Sequence, residues 1–285
     1  MSKYNRNYIV DKTFQWFAIF CTAFGVLSLL LFLGNICFDG IGRINWQFMT
    51  SLPSRLPEKA GIISAFVGTL WILVLTAIIA VPVGVGAGIY LEEYAGKSRL
   101  FDFFEINITN LAGVPSIIYG LLGLEVFARL MNMGGSILAG ACTLSLLILP
   151  VIIVATRESL KAVPKSLREA SFALGATKWQ TIRMQLLPAA SGGIVTGIIL
   201  SLARAIGETA PLIVVGALAY VPFVPTSPTD EFTVMPIQIF NWISRPQKGF
   251  AIDAAAAIII LLLITFVMNG IALYYRNKWQ KKVKW

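Results

Sequence analysis

The chain has 285 residues, 57% of them hydrophobic and only 13% charged, with a net charge of +9 and no histidine. Soluble domains carry about 25% charged residues, so this composition, with a mean hydropathy of +0.77, describes a polytopic membrane protein. The missing histidine excludes imidazole catalysis and His-based metal sites, and the scattered Cys21, Cys37 and Cys142, without CxxC spacing, imply neither a disulfide framework nor a metal cluster.

Apolar runs of about 20 residues mark spanning helices. Six occur, at 13–36, 62–90, 109–130, 135–157, 188–219 and 252–275, which predicts an all-α membrane protein with six transmembrane helices. Residues 1–12 form a polar N-terminal segment. The run that follows has no small-residue cleavage site and reads as an uncleaved anchor. In the second run, Gly84, Gly86 and Gly88 offer a close helix-packing face. Just beyond it, Ala95-Gly-Lys97-Ser98 echoes the end of a P-loop, but Leu91 stands where the first glycine must be. The nest of backbone amides that cradles a nucleotide phosphate therefore cannot form, and the chain is not expected to hydrolyse ATP. Near the end of the third run, Glu125 and Arg129 read as an exposed interfacial pair of little energetic weight, with a role at an outer gate as the alternative.

Between the fourth and fifth runs lies a polar, basic island, Lys165-Ser-Leu-Arg-Glu-Ala-Ser-Phe-Ala-Leu-Gly-Ala-Thr-Lys-Trp-Gln180 and onward to Pro188. Ser166 and Glu169 have the spacing of a capping box. Leu167, Ala170, Ser171 and Leu174 recur at helical spacing as a small, shallow face. Gly175 supplies a left-handed C-cap, and Thr177 with Gln180 repeats the capping box before a second helix. This grammar predicts a rigid helix-turn-helix, which is either a docking surface or an interfacial element lying on lipid headgroups.

The fifth run contains Leu202-Ala-Arg204-Ala-Ile-Gly-Glu208-Thr-Ala-Pro211. A regular helix would set Arg204 near the bilayer centre, at a cost of at least ~2.5–3.5 kcal/mol, so it must face protein or water. Glu208, four residues on, lies on the same helix face. The pair either holds two helices together or makes an anion site, in which Glu208 orients a guanidinium whose donor fork matches a tetrahedral oxyanion. Gly207 permits close helix approach, and Pro211 frees a backbone carbonyl and lets the helix bend.

Charge settles the orientation. The 157–187 loop carries six basic residues against Glu158 and Glu169, the tail from Arg276 carries five with no acid, and Lys3, Arg6 and Lys12 outweigh Asp11. With an even helix count these segments share one side, so the hairpin and both termini are cytoplasmic. The +9 charge thus belongs to topology, and no aromatic-interleaved basic groove marks a nucleic-acid partner. The 36–61 and 220–251 loops face outward. The second, rich in proline and apolar residues, is a re-entrant element, a platform for an external partner, or a gate cover. Asp253 reads as a charge favourable to the start of the last helix.

Glu169-Ala170-Ser171, Gly175 and Leu187-Pro188 resemble the EAA loop of ATP-binding-cassette (ABC) importer permeases. The spacing holds throughout, with Ser171 in place of the third alanine and Gln185 in place of an isoleucine. Arg204-Ala-Ile-Gly-Glu208-Thr209-Ala-Pro-Leu212 is similar to the signature of the PstA type of phosphate importer permease, as are Asn110–Leu124 and Ala173–Ile182. The resemblance covers about 60–280. It implies a type I ABC importer permease fold, with a permease core over 60–276, an EAA coupling loop at 158–188 and a basic cytoplasmic tail at 277–285. It also implies that Ser166, Glu169, Ala170, Ser171, Gly175 and Ala176 couple to an ATPase, and that Arg204, Glu208 and Thr209 line the substrate pathway. The implied assembly holds a PstC-type permease, two PstB-type ATPase subunits that use the ATP, and a PstS-type phosphate-binding protein, in a bacterial plasma (inner) membrane. Three rival readings are the same architecture carrying sulfate or molybdate, a secondary transporter, and a membrane scaffold. A secondary transporter would have no use for the hairpin, and no convincing inverted repeat accompanies it.

Overall fold

The computed structural model describes residues 3–96, 99–217 and 220–280. Lys97 and Ser98 of the P-loop echo, the end of the fifth predicted span and residues 281–285 of the tail lie outside these. Helices run in chain order as α1 (Lys3–Gly40), α2 (Ile63–Tyr94), α3 (Arg99–Leu111), α4 (Ser116–Leu130) and α5 (Ile137–Lys161). They continue as α6 (Lys165–Ala173), α7 (Lys178–Ala205), α8 (Ala210–Val215), α9 (Met235–Ile243) and α10 (Lys248–Gln280).

Five of these helices are long and apolar enough to cross a membrane: α1, α2, α5, α7 and α10. The third predicted span, 109–130, is not a single helix. Its chain is split between α3 and α4, which meet at 102°. Pro115 has no N–H to continue a helix and pushes Val114 out of the helical region, while the Tyr119 hydroxyl donates to the Leu111 carbonyl (2.8 Å) and staples the bend. The fifth predicted span, 188–219, also departs from expectation. Its helix begins ten residues earlier, at Lys178, and stops at Ala205. Pro211 then starts α8, which ends at Gly216 with φ +123°.

The centre of the bundle is α5, two thirds of whose apolar stretch is buried. Small residues set how closely its neighbours approach. A Cβ on Gly84 would lie 2.7 Å from Ile152 Cγ2, and one on Gly88 2.6 Å from Thr156 Cβ, so two of the three glycines predicted as a packing face meet α5, whereas Gly86 faces open space. Gly123 brings α4 onto Thr143 in the same way. Gly84→Val therefore overpacks this contact and is expected to cost about 1–3 kcal/mol. The detergent-solubilised chain should unfold several degrees lower, and an unchanged midpoint would refute this reading of the interface.

By contrast α1, from residue 10 onward, is exposed along nearly its whole length, and its end rests on Ala255 and Ala256 of α10 through Gly40. Asp253 does not serve mainly as a helix-start charge. Its Oδ1 accepts from Arg43 Nε (2.7 Å), and the carboxylate is buried one and a half turns inside α10. The 220–251 segment is built into the fold. Ile137 and Leu138 donate their helix-start N–H groups to the Asp230 and Pro228 carbonyls, and Met235 N donates to Thr69 Oγ1 (2.9 Å). The Asp230 carboxylate accepts from the Thr226 and Ser227 amides (2.8 and 2.9 Å). Those bonds hold its carboxyl below the ordinary range, so this contribution to the turn is present at neutral pH and lost as pH falls through the lowered value.

Candidate functional site

Two features concentrate the polar chemistry of an otherwise apolar chain: the hairpin formed by α6 and the start of α7, and the helix break that follows α7.

The hairpin closes by a Schellman motif. Ala176 N donates to Ser171 O and Gly175 N to Phe172 O, with Gly175 at φ +79°, where an L side chain is strained. The second predicted capping box is present: Thr177 N donates to Gln180 Oε1 (2.8 Å), and Gln180 N to Thr177 Oγ1 (3.3 Å). The first is not. Pro164 occupies the N-cap of α6 with no side-chain cap, so Ser166 lies inside the first turn, exposed and two positions too late to cap. Proline's bias against a helical preceding residue was the signal that set this boundary.

Ala170, Ser171, Gly175 and Ala176 line one concavity of ≈ 530 Å³ together with Leu167, Leu174, Gln180 and Met184. Glu169 is not among them. It lies on the other side of α6, lining a second cleft of ≈ 400 Å³ with Glu92, Glu93, Lys161, Lys165 and Arg168. Ser171, where the motif expects alanine, shares a hydrogen bond with the buried Thr181 (2.9 Å) and so ties the two hairpin helices.

Glu92, Glu93 and Glu105, in and around the second cleft, were not anticipated from the sequence. Arg157 pairs with Glu105 (3.0 Å) and Glu92 (3.8 Å), and Arg168 with Glu93 (2.7 Å). Three of the basic residues counted in the 157–187 loop, Arg157, Lys161 and Arg168, thus have carboxylate partners on α2, α3 and α5.

Arg204 sits in the last turn of α7, where the helix dipole favours a cation. Its Nε donates to Glu208 Oε1 (3.3 Å) across the break, so the predicted pair forms. The Arg204 side chain is 49% exposed and that of Glu208 only 16%. The acid is therefore seated in the protein, while the guanidinium presents an open edge away from this chain. Thr209 is the N-cap of α8, and its hydroxyl makes no capping bond. A Cβ on Gly207 would meet Arg204 O of the same turn at 3.8 Å, so Gly207 is not a helix contact. Behind the break stands α4: a Cβ on Gly120 would lie 2.7 Å from Pro211 Cα, and Tyr119 lies within electrostatic range of Arg204. Sequence reading missed this neighbour because nothing in the third apolar run marks which of its faces meets residues 206–211. Glu125 and Arg129 pair at 3.0 Å, both well exposed, as expected.

One continuous helix joins the two features. α7 has 28 residues, about 42 Å at ~1.5 Å per residue, with the hairpin at one end and Arg204 at the other.

The chain is similar to proteins of transport systems. It is 31% identical over 272 residues to the probable ABC transporter permease protein YqgI of Bacillus subtilis, covering 90% of this chain and 92% of that one. It is 35% identical over 235 residues to the phosphate transport system permease protein PstA 1 of Mycobacterium tuberculosis, covering 80% and 75%. A bacterial ABC transporter involved in importing the acidic polysaccharide alginate has a chain of the same fold, with TM-score 0.63 at 15% identity over 96% of each chain. The chain therefore has the type I ABC importer permease fold. Residues 80–281 match the model of one family, and with that the chain belongs to the binding-protein-dependent transport system inner membrane components.

Proposed function

We propose that the chain is a permease subunit of an ATP-driven phosphate importer. The observation that carries this reading is Arg204: a half-exposed guanidinium, steadied by one bond to a seated carboxylate, at a helix break in an apolar bundle. Phosphate presents several oxygens to such a fork. Glu208 keeps the empty site near neutral, and the single long bond lets the guanidinium turn from carboxylate to anion. Conduction needs exit as much as entry, so a site that guides the anion without enclosing it fits the task. Thr209 adds a hydroxyl at the same break.

The open edge of Arg204 faces a PstC-type permease in this reading, and the pathway runs between the two chains. The concavity around Ala170, Ser171, Gly175 and Ala176 receives one of two PstB-type ATPase subunits, with Ser166 and Glu169 on the flanks of α6. A PstS-type binding protein delivers phosphate at the opposite end. Both termini and the hairpin are cytoplasmic, following the basic residues. The relatives named as phosphate permeases favour phosphate, while sulfate or molybdate remains chemically compatible with one arginine.

Uptake into liposomes carrying the full assembly tests the reading. Arg204→Gln removes a charge-assisted contact worth about 1.5–3 kcal/mol and should lower phosphate uptake about 10–150-fold, with ATP hydrolysis retained. Excess sulfate or molybdate should leave wild-type phosphate uptake unchanged. Normal uptake by Arg204→Gln would make the pair structural, and strong competition would reassign the anion.

A further inference from the structure

Arg168 lies on α6 but belongs to three elements at once. Its Nη2 and Nε donate to Glu93 Oε1 at the end of α2 (2.7 and 3.3 Å). Nη2 also donates to the Leu160 carbonyl and Nη1 to the Val163 carbonyl (both 3.0 Å), at the C-terminal end of α5. The two charged side chains are 19% and 10% exposed, so water screens this pair far less than a surface pair. A second link runs parallel: Lys178, at the start of α7, places Nζ 4.8 Å from the Tyr94 ring centre, again at the end of α2.

Beneath these bonds lies an apolar cluster of Leu160, Val163, Ile182 and Leu186, with Val85 and Ile89 of α2 packed against it. Hydrophobic contact is non-directional, so this cluster alone lets α6 slide or rotate over α2. A planar guanidinium bonded to one carboxylate and two carbonyls fixes register as well as distance. Arg168 also lies outside the Ala170–Ser171–Gly175 concavity and lines the other cleft. It is thus placed to hold the hairpin from behind while the opposite face is occupied.

We propose that Arg168 is a positioning residue. It pins the hairpin to the ends of α2 and α5, so that a displacement received by α6 is passed to α2 as rigid-body motion rather than absorbed by slippage. This rests on reading the hairpin as the ATPase contact. Glu93 is the acceptor that sets the pin's direction, and the carbonyls of Leu160 and Val163 hold its base.

The test uses the full assembly in liposomes, with Arg168→Gln, Glu93→Gln and Arg168→Lys. ATPase subunits retained, ATP hydrolysed, and phosphate moved per ATP are read separately. Arg168→Gln should keep its ATPase subunits and hydrolyse ATP, yet move about tenfold less phosphate per ATP. Glu93→Gln should shift the ratio in the same direction. Arg168→Lys should recover part of it, since an ammonium restores the charge but not the fork. A wild-type ratio in Arg168→Gln overturns the proposal. So does a parallel loss of subunits, hydrolysis and transport, which would mark a general stabilising role. A second readout does not depend on the cargo: the distance between nitroxides on Ala173→Cys of α6 and Tyr90→Cys of α2, with and without ATP. It should stay constant in the pinned assembly and split into two values in Arg168→Gln; equal behaviour of the two overturns the pin. If the wild-type assembly carries no phosphate, this distance alone decides, and failure of the pin is told apart from failure of the phosphate reading.

Discussion

Ala170→Arg strips an ATPase subunit from the purified assembly and brings phosphate uptake to background, while the chain itself unfolds at its wild-type temperature. The expectation follows from where Ala170 sits. It is exposed on α6 and forms part of the wall of the ≈ 530 Å³ concavity, so a longer side chain disturbs nothing in the isolated subunit. In the proposed complex the same position lies against a partner, and a charge there is desolvated without a counter-ion. Such a charge costs about 3–5 kcal/mol, more than a hundredfold in affinity. Co-purification of the ATPase with the variant, alongside calorimetry of the permease, decides the matter. Retention of both subunits at wild-type stoichiometry would show that the concavity is not the contact.

The second large effect concerns Arg43. One guanidinium joins the segment after α1 to α10 and to the chain before α2. It donates to Asp253 Oδ1 (2.7 Å), Gln47 Oε1 (3.1 Å) and the carbonyls of Pro57, Glu58 and Ala60 (2.8, 3.1 and 3.0 Å), and it lies 5.1 Å from the Phe48 ring centre. The side-chain exposures of 15% for Arg43 and 1% for Asp253 place the acid deeper than its partner. Arg43→Ala leaves that carboxylate buried and unpaired, and is expected to cost about 3–5 kcal/mol. Removing both groups should cost less than removing the arginine alone, because no buried charge then remains. Thermal unfolding of the two single variants and the double variant forms the cycle. A double variant less stable than Arg43→Ala would contradict the account.

What could be read from the sequence divides by range. Thr177 with Gln180 and Gly175 with its positive φ are local patterns that appear as expected, and Arg204 pairs with Glu208, though across a helix end rather than along one helix face. The α2 glycines gave a packing face without naming its partner, since a face carries no address. Ser166 failed as a cap because the neighbouring Pro164 fixed the helix start first. The third apolar run has the composition of a straight span, and composition is blind to a 102° bend, which falls between Leu111 and Ser116. The Arg43–Asp253 bond joins residues 210 apart and Arg168–Glu93 residues 75 apart. Charge counting included Arg168 but left Arg43 and Glu93 unremarked, and the reading of Asp253 as a helix-start charge had no means of naming its partner.

The unbroken run of α7 from hairpin to Arg204 has a mechanical consequence. An arm about 42 Å long, pivoted at its hairpin end, magnifies small rotations: a tilt of about 5° sweeps the far tip through roughly 3–4 Å. That distance is comparable to a single hydrogen-bond length, enough to carry a guanidinium out of reach of one oxygen and into reach of another. The leverage needs no unwinding along the arm, since α7 ends at Ala205 and α8 begins separately at Ala210.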